Sequence, residues 1–251
     1  MEIRNTGFDV SYNVEIREFK KISPKEGAVM FSGFPGPGLV GQIAVSEMVQ
    51  QLRLTEVAYM KSPLLPPMAV FIGGILRYPV RIYANDSQDV LAIVSDIPIP
   101  SRALYYVGNK LVEWAAEKYV DEIICLEGIP VDEKPQTSYI CGVAEPDVLE
   151  QLTKHGVSCH SAGYVAGVSG VVLDECLARK IKGLCLLSPA TRKVPDPLAA
   201  AVVLGKVRDI YSLPIDVTSL INQTNMLKTT MKETAESYKK LEESEDSRMY
   251  V

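Results

Sequence analysis

Apolar residues along this chain fall into short, nearly continuous runs separated by amphipathic stretches. Ala28-Val29-Met30-Phe31, Val57-Ala58-Tyr59-Met60, Ala69-Val70-Phe71-Ile72, Val80-Arg81-Ile82-Tyr83 and Val90-Leu91-Ala92-Ile93-Val94 read as strands. So do Ile123-Ile124-Cys125-Leu126, Tyr139-Ile140-Cys141-Gly142-Val143 and Gly183-Leu184-Cys185-Leu186-Leu187. Helices are expected from Val40 to Leu52, from a Ser101 cap through Val120, from Pro146 to His155 and from a Ser169 cap to Lys180. A further helix starts at Asp196-Pro197, with Asp at the N-cap and Pro at the first helical position, and ends near Tyr211. Strands that are apolar throughout, alternating with helices, imply a mostly parallel sheet covered on both faces. The expected fold is α/β, a three-layer α/β/α sandwich forming one domain over residues 1–215.

After Pro214 the pattern changes in kind. Val217, Leu220, Thr224, Leu227, Met231, Thr234, Tyr238 and Leu241 recur in steps of three and four, a heptad-like stripe on an otherwise polar segment. A long C-terminal helix over residues 216–243 is expected. Two readings of the stripe stay open. It packs on its own domain, or Val217, Leu220, Leu227, Met231, Tyr238 and Leu241 gather copies of the chain around a symmetry axis. Residues 244–251 read as a tail, because Glu242-Glu243-Ser244-Glu245-Asp246-Ser247-Arg248 is charged and hard to pack. It ends in Met249-Tyr250-Val251, an apolar residue, a large ring with a polar tip and a free carboxylate. That is the form of a plug whose carboxylate a partner lysine or backbone N–H groups can hold.

Composition narrows the function classes. The chain has 251 residues, 47% of them hydrophobic, enough for a substantial core. A net charge of −5 and a pI near 5.2 argue against nucleic acid as a main partner. No apolar run approaches the roughly 18 residues of a membrane span, and the N-terminus lacks a secretory pattern, so no membrane partner and a cytoplasmic location are expected. Five cysteines occur without a C-x-x-C. Cys125 and Cys185 read as small core hydrophobes, and no metal site is expected.

Gly36-Pro37-Gly38-Leu39-Val40-Gly41 matches G-x-G-x-x-G between a strand and a helix, the context of a dinucleotide fingerprint. Pro35 and Pro37, however, remove backbone donors that would hold a pyrophosphate. No acid ends the second strand, which runs out at Met60-Lys61-Ser62. The turn Gly33, Phe34, Pro35, Gly36, Pro37, Gly38 and Gly41 is therefore read as structural, and no cofactor is expected. Asp96 and Glu127 follow apolar strands, where α/β enzymes place active groups, and are the candidates for a ligand or catalytic crevice. Ordinary loop capping and turn formation is the favoured reading of both, and no catalytic constellation is evident.

Gly33-Phe34-Pro35-Gly36-Pro37-Gly38-Leu39-Val40-Gly41, Glu127-Gly128-Ile129-Pro130 and the Gly163–Gly170 stretch together resemble the archaeal branch of the proteasome assembly chaperone family, the PbaA/PbaB type. The likeness covers most of residues 15–215, and the tail adds to it. It implies a phosphorylase/hydrolase-like fold and a homo-oligomer, in a family whose members were once labelled as ATP-grasp relatives. It also implies that Met249, Tyr250 and Val251 form a hydrophobic-Tyr-X motif that enters pockets between proteasome core-particle α-subunits. The resemblance thus points to a non-enzymatic assembly chaperone or an ATP-independent activator, and no G-x-x-x-x-G-K-[ST] is present. Unfolded proteins, held by segments such as Leu64-Leu65-Pro66-Pro67-Met68, are a further partner class. The alternative is a nucleoside- or nucleotide-acting enzyme, or a ligand-binding protein, using the Asp96/Glu127 crevice.

Overall fold

A computed structural model describes residues 13–222, apart from 134, 136–138, 160 and 193. The first half contains β1 (Glu15–Glu18), β2 (Val29–Gly33), α1 (Val40–Gln51), β3 (Thr55–Lys61), β4 (Val70–Ile72), β5 (Ile75–Arg77), β6 (Val80–Ala84) and β7 (Val90–Ser95). The second contains α2 (Leu104–Glu117), β8 (Glu122–Val131), β9 (Cys141–Ala144), α3 (Pro146–Lys154), β10 (Ser158–Cys159), α4 (Gly167–Arg179), β11 (Lys182–Thr191) and α5 (Pro197–Tyr211). Asp196 caps α5 as the sequence implies, its carboxylate accepting from the Ala199 N–H at 3.1 Å with Pro197 next in line.

Nine strands form one sheet in the order β1-β3-β6-β7-β2-β8-β11-β9-β10. The sheet is mixed rather than mostly parallel. β7, β2, β8 and β11 run parallel, whereas β1, β3, β6 and β7 pair antiparallel and β9 runs against β11. The reason lies in the connections. Only Asn85–Asp89 separates β6 from β7, too short for a crossover helix, so the two strands form a hairpin. Asp86 and Asp89 belong to this turn, where the Asp89 carboxylate accepts from Asn85 and Ser87 at 2.6 and 2.7 Å. β4 and β5 stand apart as a two-stranded hairpin turned by Gly73-Gly74, both with positive φ.

Alternate residues of the central strands point to opposite faces. Met30, Ile123 and Cys125 pack with Val107, Leu111 and Val172 from α2 and α4. Phe31, Ile124 and Leu126 pack with Val45 and Val203 from α1 and α5. Cys125 and Cys185 are fully buried, in keeping with their reading as core residues.

β8 and β11 extend further than their apolar cores suggest. They stay paired from Glu122↔Lys182 to Val131↔Thr191, so Glu127 lies inside a strand rather than after one. The prolines allow this because β8 pairs with β2 only as far as Cys125 and β11 pairs with β9 only over Leu184–Leu187. Pro130 and Pro189 therefore sit where one strand edge is free and a missing N–H breaks no ladder bond. Ser101 and Ser169 do not act as the expected caps. Ser101 opens a short 3-10 turn before α2, and Ala166 precedes α4, leaving Ser169 buried inside the helix.

Candidate functional site

The Gly/Pro turn connects β2 to α1 across the ends of the central strands. Gly33 ends β2, Phe34 is buried beneath the turn, and Gly38 takes φ +63°. Leu39 follows at φ +53°, an uncommon conformation for a residue with a side chain. Two close approaches fix the glycines. A Cβ on Gly41 would lie 2.1 Å from the Leu126 carbonyl oxygen, so α1 is pressed directly onto β8. A Cβ on Gly36 would lie 1.9 Å from Glu127 Oε1, so the turn closes over that carboxyl group.

Glu127 lines a cavity of about 440 Å³, walled also by Phe34, Pro35, Ile129, Tyr164, Val165 and Val168. Its Oε1 accepts from the Gly128 N–H at 3.2 Å and its Oε2 from the Ser169 hydroxyl at 3.0 Å. Burial is the main influence and pushes its pKa up to about 7, against the opposing pull of these two donors. Arg192 and Tyr164 are the other ionisable residues among the described lining. The cavity shares Ile129, Tyr164, Val165 and Leu187 with an apolar groove of about 660 Å³ along α4.

Chemically, this arrangement can hold or release one proton near neutral pH. The described lining offers no histidine or cysteine that would make it a nucleophilic site. It also accounts for the G-x-G-x-x-G match. Gly36 admits the Glu127 carboxyl group and Gly41 admits the Leu126 carbonyl. Among the described residues there is no group of three or more His, Cys, Asp and Glu arranged to hold a metal, and no helix long and apolar enough to cross a membrane.

Asp96 does not share this cavity. It follows β7 and forms an ion pair with Arg81, a guanidinium only 4% exposed. Arg81 also donates to the Tyr78 carbonyl at 2.6 Å and the Tyr83 hydroxyl at 2.5 Å. Asp96 is therefore the counter-charge of a buried arginine, a role that spacing along the sequence does not reveal. Ser169, read as a cap, proves to be a partner of Glu127.

The Leu64–Met68 segment is largely packed at its start, with Leu64 only 4% exposed. The larger apolar surface is the β4–β5 hairpin, where Phe71, Ile72, Ile75 and Leu76 are 71%, 54%, 59% and 73% exposed. A Gly-Gly pair between Val70-Phe71-Ile72 and Ile75-Leu76 is the signal in the sequence for this hairpin. Of the stripe, Val217 and Leu220 pack on the α1/α5 side of their own domain. Leu227, Met231, Tyr238 and Leu241 lie outside the described residues, as do Met249, Tyr250 and Val251.

Comparison with known proteins agrees with the fold. The family model described as PAC2 family matches residues 30–235. Pyrococcus furiosus PbaA, described as an archaeal homologue of proteasome-assembly chaperone, superposes with a TM-score of 0.84 at 25% identity, covering 95% of this chain and 100% of that one. A Thermoplasma acidophilum protein of unknown function reaches 35% identity and a TM-score of 0.74, covering 88% and 90%. P. furiosus PbaB, described as an archaeal proteasome activator, shares the fold, with a TM-score of 0.79 at 21% identity over 89% and 99% of the two chains. An uncharacterised protein of Methanocaldococcus jannaschii is 27% identical over 216 residues, 86% of this chain and 89% of its own length.

Proposed function

The chain belongs to the PAC2 family, and from that premise we propose that it is a non-enzymatic proteasome assembly chaperone or ATP-independent activator. The observation that carries the reading is the likeness to PbaA along nearly the whole of both chains, joined to the apolar-Tyr-X sequence Met249-Tyr250-Val251. The finer reading places Tyr250 and the Val251 carboxylate in pockets between proteasome α-subunits, where a lysine pairs with the carboxylate. It includes a three-layer α/β/α sandwich of phosphorylase/hydrolase-like type, a long C-terminal helix over residues 216–243, and a cytoplasmic location.

One three-residue plug buries little surface, so docking gains from several copies. Linking tails on one oligomer raises avidity by about 10² to 10⁴ over a single tail. The β4–β5 hairpin supports self-association, because a two-stranded hairpin exposing four large apolar side chains is marginal in water without cover. Met231, Tyr238 and Leu241 supply a second seam.

Removing residues 249–251 tests the reading. The truncated protein keeps its thermal unfolding profile and its oligomer mass, and no longer co-sediments with proteasome core particles. Retained co-sedimentation would remove the tail from the account.

A further inference from the structure

Asp216 to Ile221 give the direction in which the chain leaves the domain. The Asp216 carboxylate accepts from the Thr218 N–H at 3.0 Å, capping a helix that has begun by Thr218, and the Ile221 N–H bonds the Val217 carbonyl at 3.2 Å. Two contacts set this helix against α1. The Gln51 amide brackets the Asp216 backbone, donating to its carbonyl at 2.6 Å and accepting from its N–H at 2.7 Å. One turn later the Ser219 hydroxyl donates to Glu47 at 2.6 Å. As the chain advances from 216 to 219, its partner on α1 retreats from 51 to 47. The new helix therefore runs antiparallel to α1, in a register where paired numbers sum to about 266.

Ahead of it lies an open groove of about 400 Å³, bounded by Leu39, Gln42, Ile43, Ser46, Pro195 and Pro197, with Leu220 at its near end. Leu39 and Ile43 are only half-buried. We propose that residues 223–228 continue the helix along this groove, seating Thr224 beside Ile43 and Leu227 beside Leu39 and the two prolines. The spacing fits. Leu220 to Leu227 advances roughly 10 Å at 1.5 Å per residue, and Glu47 back to Leu39 spans about 12 Å. Thr224 and Leu227 stand four and seven residues after Leu220, on the face that Leu220 already buries.

The stripe is thereby divided. Its first part, through Leu227, covers the chain's own domain. In that register Met231, Tyr238 and Leu241 would fall past the start of α1, which leaves them for contact with another copy. This inference rests on the packing of residues 216–222 and not on the proteasome reading.

Cysteine cross-linking in the full-length protein tests it. In a Cys159→Ser background, the pair Ile43→Cys/Thr224→Cys is oxidised in a mixture of isotopically light and heavy copies, and the linked peptides are weighed. Glu47→Cys/Ser219→Cys, in contact in the structure, serves as the positive control, and Ile43→Cys/Met231→Cys as the out-of-register control. The expected result is a 43–224 link joining light to light and heavy to heavy only, forming as readily as the 47–219 link, with little 43–231 link. Mixed light–heavy links would assign the groove to another copy's helix. Absence of the 43–224 link while 47–219 forms, or a 43–231 link of equal yield, would equally overturn the proposal.

Discussion

Replacing Glu127 by Gln isolates the pH dependence built into the cavity beneath the Gly/Pro turn. Burial raises this carboxyl from an ordinary 4.5 to about 7 in the folded protein. The sign follows from proton counting. Between the two values the folded state holds the proton and the unfolded state does not, so stability is fully present below about 4.5 and is lost as pH rises through about 7. At about 1.4 kcal/mol per pKa unit, the loss is about 3 kcal/mol. Other groups titrate too. Glu122 is also raised by burial, and Glu18 and Asp89 are held low, the first by Lys118 and Trp114 and the second chiefly by its bonds to Asn85 and Ser87. Each is present in both proteins, so the difference between wild type and Glu127→Gln cancels them. Urea unfolding of both at pH 5, 6, 7 and 8 gives that difference directly. The wild type should lose about 3 kcal/mol relative to the variant across the series, making Glu127→Gln the more stable protein at pH 8 if the amide keeps one of the two donors. A difference that stays flat with pH would refute the assignment of a buried, raised carboxyl at this position.

Two further substitutions probe what positions the site. Gly41→Ala forces a methyl group against the Leu126 carbonyl and should destabilise the fold by about 1–3 kcal/mol, whereas Gly205→Ala in α5, with its nearest neighbour at 3.9 Å, should be neutral or gain up to about 1 kcal/mol; comparison of urea midpoints decides. Asp96→Ala strands the buried Arg81 and should cost about 3 kcal/mol by the same assay, while leaving co-sedimentation with proteasome core particles unchanged once folded protein is used at equal concentration. Loss of binding by a folded Asp96→Ala protein would return Asp96 to the list of functional groups.

Much of the architecture is written in local pattern. The β2–turn–α1 unit, α3 and the Asp196-Pro197 start of α5 occur where periodicity and capping put them. Strand direction is not a local property. The apolar runs at β6 and β7 look the same whether parallel or antiparallel, and only the short turn between them distinguishes the cases. Pro130 and Pro189 hide the true length of β8 and β11, since their tolerance depends on which neighbouring strand has already ended. Glu127 was visible as a strand-end acid, but its contact with Gly36 and Ser169 joins residues about 90 and 42 positions away in the sequence. Asp96 misleads for a related reason, because the arginine that employs it lies on an adjacent strand and is itself buried.

Tyr250→Ala tests docking through the tail with a single side chain. Binding of wild type and variant to archaeal proteasome core particles, titrated at low salt so that a carboxylate–lysine contact is not screened, is the deciding measurement. The wild type should bind saturably and Tyr250→Ala should lose at least about tenfold in affinity, with oligomer mass unchanged. Equal binding by the two proteins, or none by either, would contradict docking through the tail.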